Sequence, residues 1–303
     1  MKKLLNYIII LSLPLFVFGC RELTDASSSL MNDSSETSSE VISGPTIDAD
    51  SDEFDYIEET EKGIIHYKGV PFNGSVTETY DNGQLKGKRT YKDGKRNGVL
   101  EKYHENGQLA QKGTFKDGKT DGVYELYYDN GQLIRKRTYK DGERNGVYER
   151  YYENGQLEIK GTYKDGELNG AVESYYENGQ LKAKGTFKDG KLHGASESYY
   201  KNGQLSFKTT WKDGEKDGAF ESYHENGPLK EKGTLKDGKQ DGAFETYHEN
   251  GQLSWKRTYK DGKEDGAFEI YYENGQLERK ANYKDGKLNG DWKYYNEDGT
   301  IRD

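Results

Sequence analysis

The 303-residue chain predicts an all-β fold: an elongated single-array antiparallel β-meander of 24-residue hairpin repeats, after a disordered N-terminal tether. Three observations carry this expectation. Asn-Gly recurs at Asn82, Asn106, Asn130, Asn154, Asn178, Asn202, Asn226, Asn250 and Asn274, always 24 residues apart, and Asp298-Gly299 keeps the beat once more. Lys-Asp-Gly recurs nine times in one register, from Lys92 to Lys284, and a further glycine follows four residues later, as at Gly98, Gly122 and Gly290. Finally, 26 Tyr, 10 Phe and 38 Gly suit strands and turns, although 31% apolar and 33% charged residues alone would lean towards disorder.

The first element is a leader. Lys2 and Lys3 precede an apolar run from Leu4 to Phe18, too short to span a bilayer, with a small residue before Cys20. This reads as a secretory signal over residues 1–19. Cys20 is the only cysteine, so an intramolecular disulfide is excluded. Val17-Phe18-Gly19-Cys20 resembles a bacterial lipobox. That resemblance implies that Cys20 is the lipidation site of an exported bacterial lipoprotein, anchored to the outer membrane or cell surface by several acyl chains.

Residues 20–66 read as an acidic flexible tether rich in Ser, Thr, Asp and Glu. From Arg21 to His66 there are 13 acids and two bases, a net of −11. Of the chain's 54 acids and 45 bases, 41 of each lie in residues 67–303, once Lys2 and Lys3 are set aside. The array is therefore neutral, and nothing in it is basic enough to seek nucleic acid.

Residues 67–303 form the array, about 9.5 repeats. Asn-Gly and Asp-Gly between strands signal two-residue hairpin loops, since both central positions need positive φ. The turn glycines of the first set are Gly107, Gly131, Gly155, Gly179, Gly203, Gly227, Gly251 and Gly275. If Asn106-Gly107 is the apex, residues summing to 213 face each other. The spacing then predicts eight cross-strand pairs: Glu101 with Lys112, Glu125 with Lys136, Glu149 with Lys160, Glu173 with Lys184, Glu197 with Lys208, Glu221 with Lys232, Glu245 with Lys256, and Glu269 with Lys280. In the last repeat the acid becomes Lys293, whose partner would be residue 304, one beyond the last residue of the chain. Such pairs contribute about 0.2–1 kcal/mol each, so they mark register more than they stabilise.

The same register puts the Glu–Lys pairs and a recurring Tyr (Tyr103 to Tyr295) on one face. Leu109, Phe115, His104 or Tyr128, and Phe220, Phe244 or Phe268 fall on the other, the expected core face. Glycines such as Gly98 and Gly113 lie near one another on neighbouring strands, where glycine permits a bend. The sheet is expected to curl there into a gutter with Leu and aromatics inside. Strands about 4.8 Å apart, two per repeat, give a rod roughly 90–95 Å long.

The quoted segments Tyr-Tyr-Glu-Asn-Gly-Gln-Leu, Lys-Gly-Thr-Tyr-Lys-Asp-Gly-Lys and a closing Asn-Gly resemble the MORN repeat variant (MORN_2 type), found in bacterial proteins labelled YwqK-family antitoxins. The resemblance covers about 237 of 303 residues. It implies hairpin modules for protein or membrane contact, with no shared chemistry. The expected function is that of a non-enzymatic, membrane-tethered surface repeat protein mediating protein–protein interaction or scaffolding. A cell-wall or glycan binder and an antitoxin-like binder of a partner toxin are the alternatives. The partners expected are an unidentified protein, the membrane through lipidated Cys20, and, in the first alternative, a glycan.

Other motifs point mostly to packing. His104, His224 and His248 share a position that other repeats fill with Tyr, which cannot replace a zinc ligand. Asp-Gly-x-x-Asp-Gly at Asp117/Asp121, Asp213/Asp217, Asp237/Asp241 and Asp261/Asp265 faintly resembles a calcium loop. Other repeats put Asn97, Asn145, Asn169, His193 or Asn289 at the second place, which fits turn chemistry better. Trp211, Trp255 and Trp292 are too few and too scattered for the Trp-rich cages of glycan-binding hairpin repeats. No nucleophile–base set, phosphate loop, metal signature or cofactor motif emerges.

Overall fold

The structure, a computed structural model, describes residues 44–61 and 63–302. The leader expected over residues 1–19 and the lipidation site expected at Cys20 lie outside the described residues. Beyond Thr46 the described chain is almost entirely strand and turn, with one three-residue 3-10 turn at Phe54–Tyr56. A 24-stranded open sheet contains the array, and a small sheet joins Ile57–Glu59, Ile65–Tyr67 and Val70–Pro71.

Of the tether expected over residues 20–66, residues 20–43 lie outside the described residues, and part of the remainder forms regular structure. Thr46–Asp48 pairs in parallel with Gly74–Thr79, setting Ile47 opposite Val76. Ile47 and Ile65 are buried with Phe72, Val76 and Tyr91 in one cluster. Burying an Ile or Phe side chain contributes about 1.5–3 kcal/mol, enough to hold a short acidic segment against the array. Two isoleucines in a run of carboxylates decide its structure here, where average composition does not.

Within the array the two turns differ. Lys92 faces Lys95 across Asp93-Gly94, and both loop residues have positive φ, 50° and 74°. This is the two-residue loop of type I′, and Asp accepts the left-handed region more readily than most side chains. The expected two-residue loop at Asn106-Gly107 does not form. Of these two residues only Gly107 has positive φ, 81°. Gly107 N–H donates to His104 O at 2.8 Å and His104 N–H to Gln108 O at 2.7 Å, which makes a three-residue loop, Glu105 to Gly107.

That loop shifts the register by one, and a bulge restores it. Tyr103 faces Leu109, but Lys102 already faces Gln111, so Leu109 and Ala110 together occupy one step. Glu101 consequently stands opposite Lys112. A second irregularity follows the Asp-Gly turns: Tyr91 faces Arg96 while Arg89 faces Leu100, and Gly98 sits in the excess with φ 99°. Both irregularities recur along the array, although Tyr294 faces Arg302 and Tyr295 faces Ile301 without the bulge.

The core is one face of this single layer. Ile159, Val172, Phe187 and Leu192 form one cluster, and Phe207, Phe220 and Phe244 another. Phe244 is only 2% exposed, which in one layer requires the strands to curl round the ring. Glycine makes room for that: a Cβ on Gly233 would stand 2.8 Å from the Phe220 ring and 2.9 Å from that of Phe244. The opposite face is wetter, and Val99, Val123 and Val147 are exposed there.

Candidate interaction face

The eight expected Glu–Lys pairs all fall opposite one another in the Cα register, from Glu101 with Lys112 to Glu269 with Lys280. The next strand along matters equally. Glu101 also faces Lys88, Lys112 also faces Glu125, and Lys160 also faces Glu173. Alternate rungs thus form one continuous stripe of acid and base, each Glu between two Lys.

The ion pairs use both neighbours. Within hairpins, Lys112 meets Glu101 at 3.2 Å, Lys136 meets Glu125 at 3.6 Å and Lys256 meets Glu245 at 3.3 Å. Between hairpins, Lys160–Glu173, Lys184–Glu197 and Lys208–Glu221 close at 2.9 Å, and Lys232–Glu245 at 2.8 Å. Turn arithmetic reaches only the first kind.

A tyrosine two residues on completes each rung, because period-two alternation returns it to the same face. Tyr103, Tyr127, Tyr151 and Tyr247 donate to Glu101, Glu125, Glu149 and Glu245, and the same bond joins Tyr175 to Glu173, Tyr199 to Glu197, Tyr223 to Glu221 and Tyr271 to Glu269. Burial opposes ionisation of Glu245, but hydrogen bonds from Lys232, Tyr247 and Lys256 outweigh it and hold the carboxyl down at about 2. Burial first, then the Glu bond, pushes Tyr127, Tyr151 and Tyr271 up to about 12. With each carboxylate held by a phenol and standing between two ammonium groups, the face presents a regular polar stripe.

The turns stack as a second set of rows. Asn106 Oδ1 accepts from Gln108 N–H, and its Nδ2 donates to Asp129 O of the next repeat at 2.7 Å. Asn154, Asn202, Asn250 and Asn274 repeat that link. Among the turn glycines, a Cβ on Gly131, Gly179 or Gly275 would strike the Gln side chain of the preceding repeat within 2.5 Å. Gly107, Gly155, Gly203 and Gly227 lie under the same neighbour with more room, and Gly251 has open space.

These rows also explain His104 and His248, whereas His224 Nε2 is buried with no hydrogen-bond partner. His104 Nε2 lies 3.0 Å from Tyr127 O and His248 Nε2 3.1 Å from Tyr271 O, while Tyr152 and Tyr176 hydroxyls donate to the equivalent carbonyls of Tyr175 and Tyr199. The two ring types reach the same acceptor. Similarly, Asp217 accepts from Asp237 N–H and Asp241 from Asp261 N–H at 3.3 Å, as Asn73 does from Asp93 N–H at 2.9 Å. A neutral amide serves that place as well as a carboxylate. No group of three potential metal ligands gathers among the described residues.

The core face holds a feature that sequence reasoning passed over. No hydrophobic side chain is buried between Leu100 and Ile159 among the described residues. Arg135, Arg137 and Tyr139 instead alternate along the strand Leu133–Lys140. Arg137 lies between Tyr124 and Tyr148 on the flanking strands, and Arg144 faces Tyr139. Part of the signal is legible: Gly113, Gly161 and Gly185 stand where this repeat has Arg137, although Arg89 and Arg257 share the place.

Comparison with known proteins gives one family. A profile described as "MORN repeat variant" matches residues 72–93, 96–117, 120–141, 144–165, 168–189, 192–213, 216–237, 240–261 and 264–285. No curated protein matches the chain. Solved structures that match include those titled "Crystal Structure of TcdB2-TccC3-Cdc42" and "Crystal Structure of TcdB2-TccC3", at 13% and 14% identity and a TM-score of 0.19 each. Each match covers 73% of this chain, which spans only 14% of the matched chain's length.

Proposed function

This chain belongs to the MORN repeat variant family, and on that premise we propose that it is a non-enzymatic surface rod for protein–protein contact, exported and tethered through lipidated Cys20. MORN repeats generally serve protein or membrane interaction. The observation that carries the proposal is the stripe itself: an identical Glu–Tyr rung recurs eight times on one face, with Lys in between. An active site needs one constellation with one perturbed group. A periodic face suits a partner that lies along the array, as extended repeat surfaces do.

Crosslinking on intact cells followed by mass spectrometry is the test. Crosslinks from array lysines to one protein support the proposal. Recovery of the chain only with peptidoglycan, or selective binding on a glycan array, would replace it with the glycan-binding alternative. A small toxic protein that co-purifies would favour the antitoxin-like one. Incorporation of an alkyne fatty acid by the wild type and not by Cys20→Ala supports the anchor, and labelling of both would remove it.

A further inference from the structure

We propose that Arg135 and Arg137, with Arg144 adding positive charge beside them, form a docking site on the inner face for an extended acidic segment of a partner protein, with carboxylates at alternate positions. The proposal rests on the protein-contact reading and names the chemistry of the partner.

The chain itself supplies the comparison. Four arginines on other strands each meet a glutamate. Arg89 meets Glu78 at 2.6 Å, Arg257 meets Glu264 at 2.6 Å, Arg279 meets Glu278 at 3.7 Å, and Arg150 grips Glu158 with two nitrogens at 2.6 Å. Among the described residues no carboxylate pairs with Arg135 or Arg137. Their Nε atoms are buried with no hydrogen-bond partner, a condition that Arg257 and Arg279 share, so the missing carboxylate is what sets Arg135 and Arg137 apart. Burial, then the charges of Arg137 and Arg144, press the Arg135 guanidinium below its ordinary range. Clustered like charges at a half-buried site are costly, and a carboxylate supplied from outside would relieve them.

The layout selects the shape of the ligand. Arg137 stands 5.6 Å over the Tyr148 ring and donates to Tyr139 Oη at 3.4 Å, whereas Arg144 lies 5.3 Å over Tyr163. Different rings therefore hold these guanidiniums apart, which suits a row of acceptors better than a single oxyanion. Arg135 and Arg137 are two residues apart on one strand, a repeat of about 6.6 Å that alternate side chains of an extended peptide share. Guanidinium forks match carboxylates in two-bond geometry. Tyr124 and Tyr139, with ring centroids 6.1 Å apart, give the segment's backbone an apolar floor.

Fluorescence anisotropy on the full chain tests this with a labelled peptide alternating Glu and Ser, and a peptide of equal composition with its Glu in one block. The alternating peptide is expected to bind more tightly, and salt should weaken it. R135Q/R137Q should lose at least about tenfold in affinity, because hydrogen bonds to charged groups are removed. R135K/R137K, which keeps the charge and loses the fork, should fall in between. K188Q/K191Q removes two exposed lysines elsewhere and should stay within about twofold. Circular dichroism verifies folding, and R135K/R137K serves if the glutamine variant does not fold. No binding, equal loss in both glutamine variants, or equal affinity for both peptides would overturn the site. So would displacement of the peptide by millimolar inorganic phosphate or by phosphatidylglycerol vesicles. A protein that still crosslinks to R135Q/R137Q on intact cells would refute this site while leaving the protein-contact reading intact.

Discussion

Tyr247 donates its hydroxyl hydrogen bond to Glu245, two residues back on the same strand, at 2.6 Å. The bond belongs to a rung in which Glu245 also receives Lys232 and Lys256. It is the most heavily engaged carboxylate of the stripe, with its side chain only 16% exposed.

Tyr247→Phe should cost about 1 kcal/mol by urea denaturation, the usual net worth of a partly exposed hydrogen bond. It should also raise the Glu245 carboxyl from about 2 towards its ordinary range in an NMR titration. An unmoved titration would mean that the phenol does not bind the carboxylate.

Stability should fall at both ends of the pH scale, for opposite reasons. The depressed Glu245 contributes fully above its unfolded value near 4.3, and that contribution is lost as pH drops through about 2. The raised Tyr127, Tyr151 and Tyr271 contribute fully below about 10, and lose it as pH climbs through about 12. Lys160, Lys184, Lys208 and Lys232, raised by hydrogen bonds to their glutamates, add to the alkaline arm. Melting temperature against pH, read beside tyrosinate absorbance, should show the alkaline loss coinciding with tyrosine ionisation.

Two glycine substitutions separate space from backbone conformation. Gly233→Ala drives a methyl into the Phe220 and Phe244 rings and should cost about 1–3 kcal/mol, as overpacking does. Gly238→Ala meets nothing within 4 Å, but its φ is 73°, so it should cost about 1–2 kcal/mol through the left-handed backbone alone. Small neighbours that give the rings room, Phe220→Leu with Phe244→Leu, should soften the first penalty and leave the second unchanged.

The last rung carries a defect. Lys280 faces Lys293, a like pair directly opposite, and such pairs destabilise. Lys293→Glu would extend the alternation and should stabilise by about 0.2–1 kcal/mol, measured by thermal melting at low salt. Loss of stability would show that the end of the array does not follow the register of its middle.

Much of this was legible in the residues, and the omissions have physical causes. The eight Glu–Lys pairs follow from turn arithmetic although the loop at Asn106-Gly107 is one residue longer than the two that the arithmetic takes. The third loop residue and the bulge at Leu109–Ala110 cancel, so a wrong loop led to the right register. The lysine on the far side of each glutamate stayed hidden because the irregularity at Gly98 shifts the register that the Asp93-Gly94 turn alone would set, bringing Lys88 opposite Glu101. Lys293 illustrates this, since the preceding hairpin sets Lys280 opposite it. Residues 44–66 were concealed by their acidity, since Ile47 and Ile65 are too few to change an average yet suffice to bury a strand. The arginines at 135, 137 and 144 fall at positions where other repeats vary, from Gly113 and Leu168 to Arg89, Arg96 and Arg257, so only their coincidence in neighbouring strands stands out.

Small-angle scattering on a chain with two whole repeats removed in phase, 48 residues, tests most directly that interchangeable rungs stack into one open sheet. Four strands at about 4.8 Å should shorten the particle's longest dimension by roughly 19 Å with its cross-section unchanged. An unchanged length, a compact particle or loss of folding would contradict it.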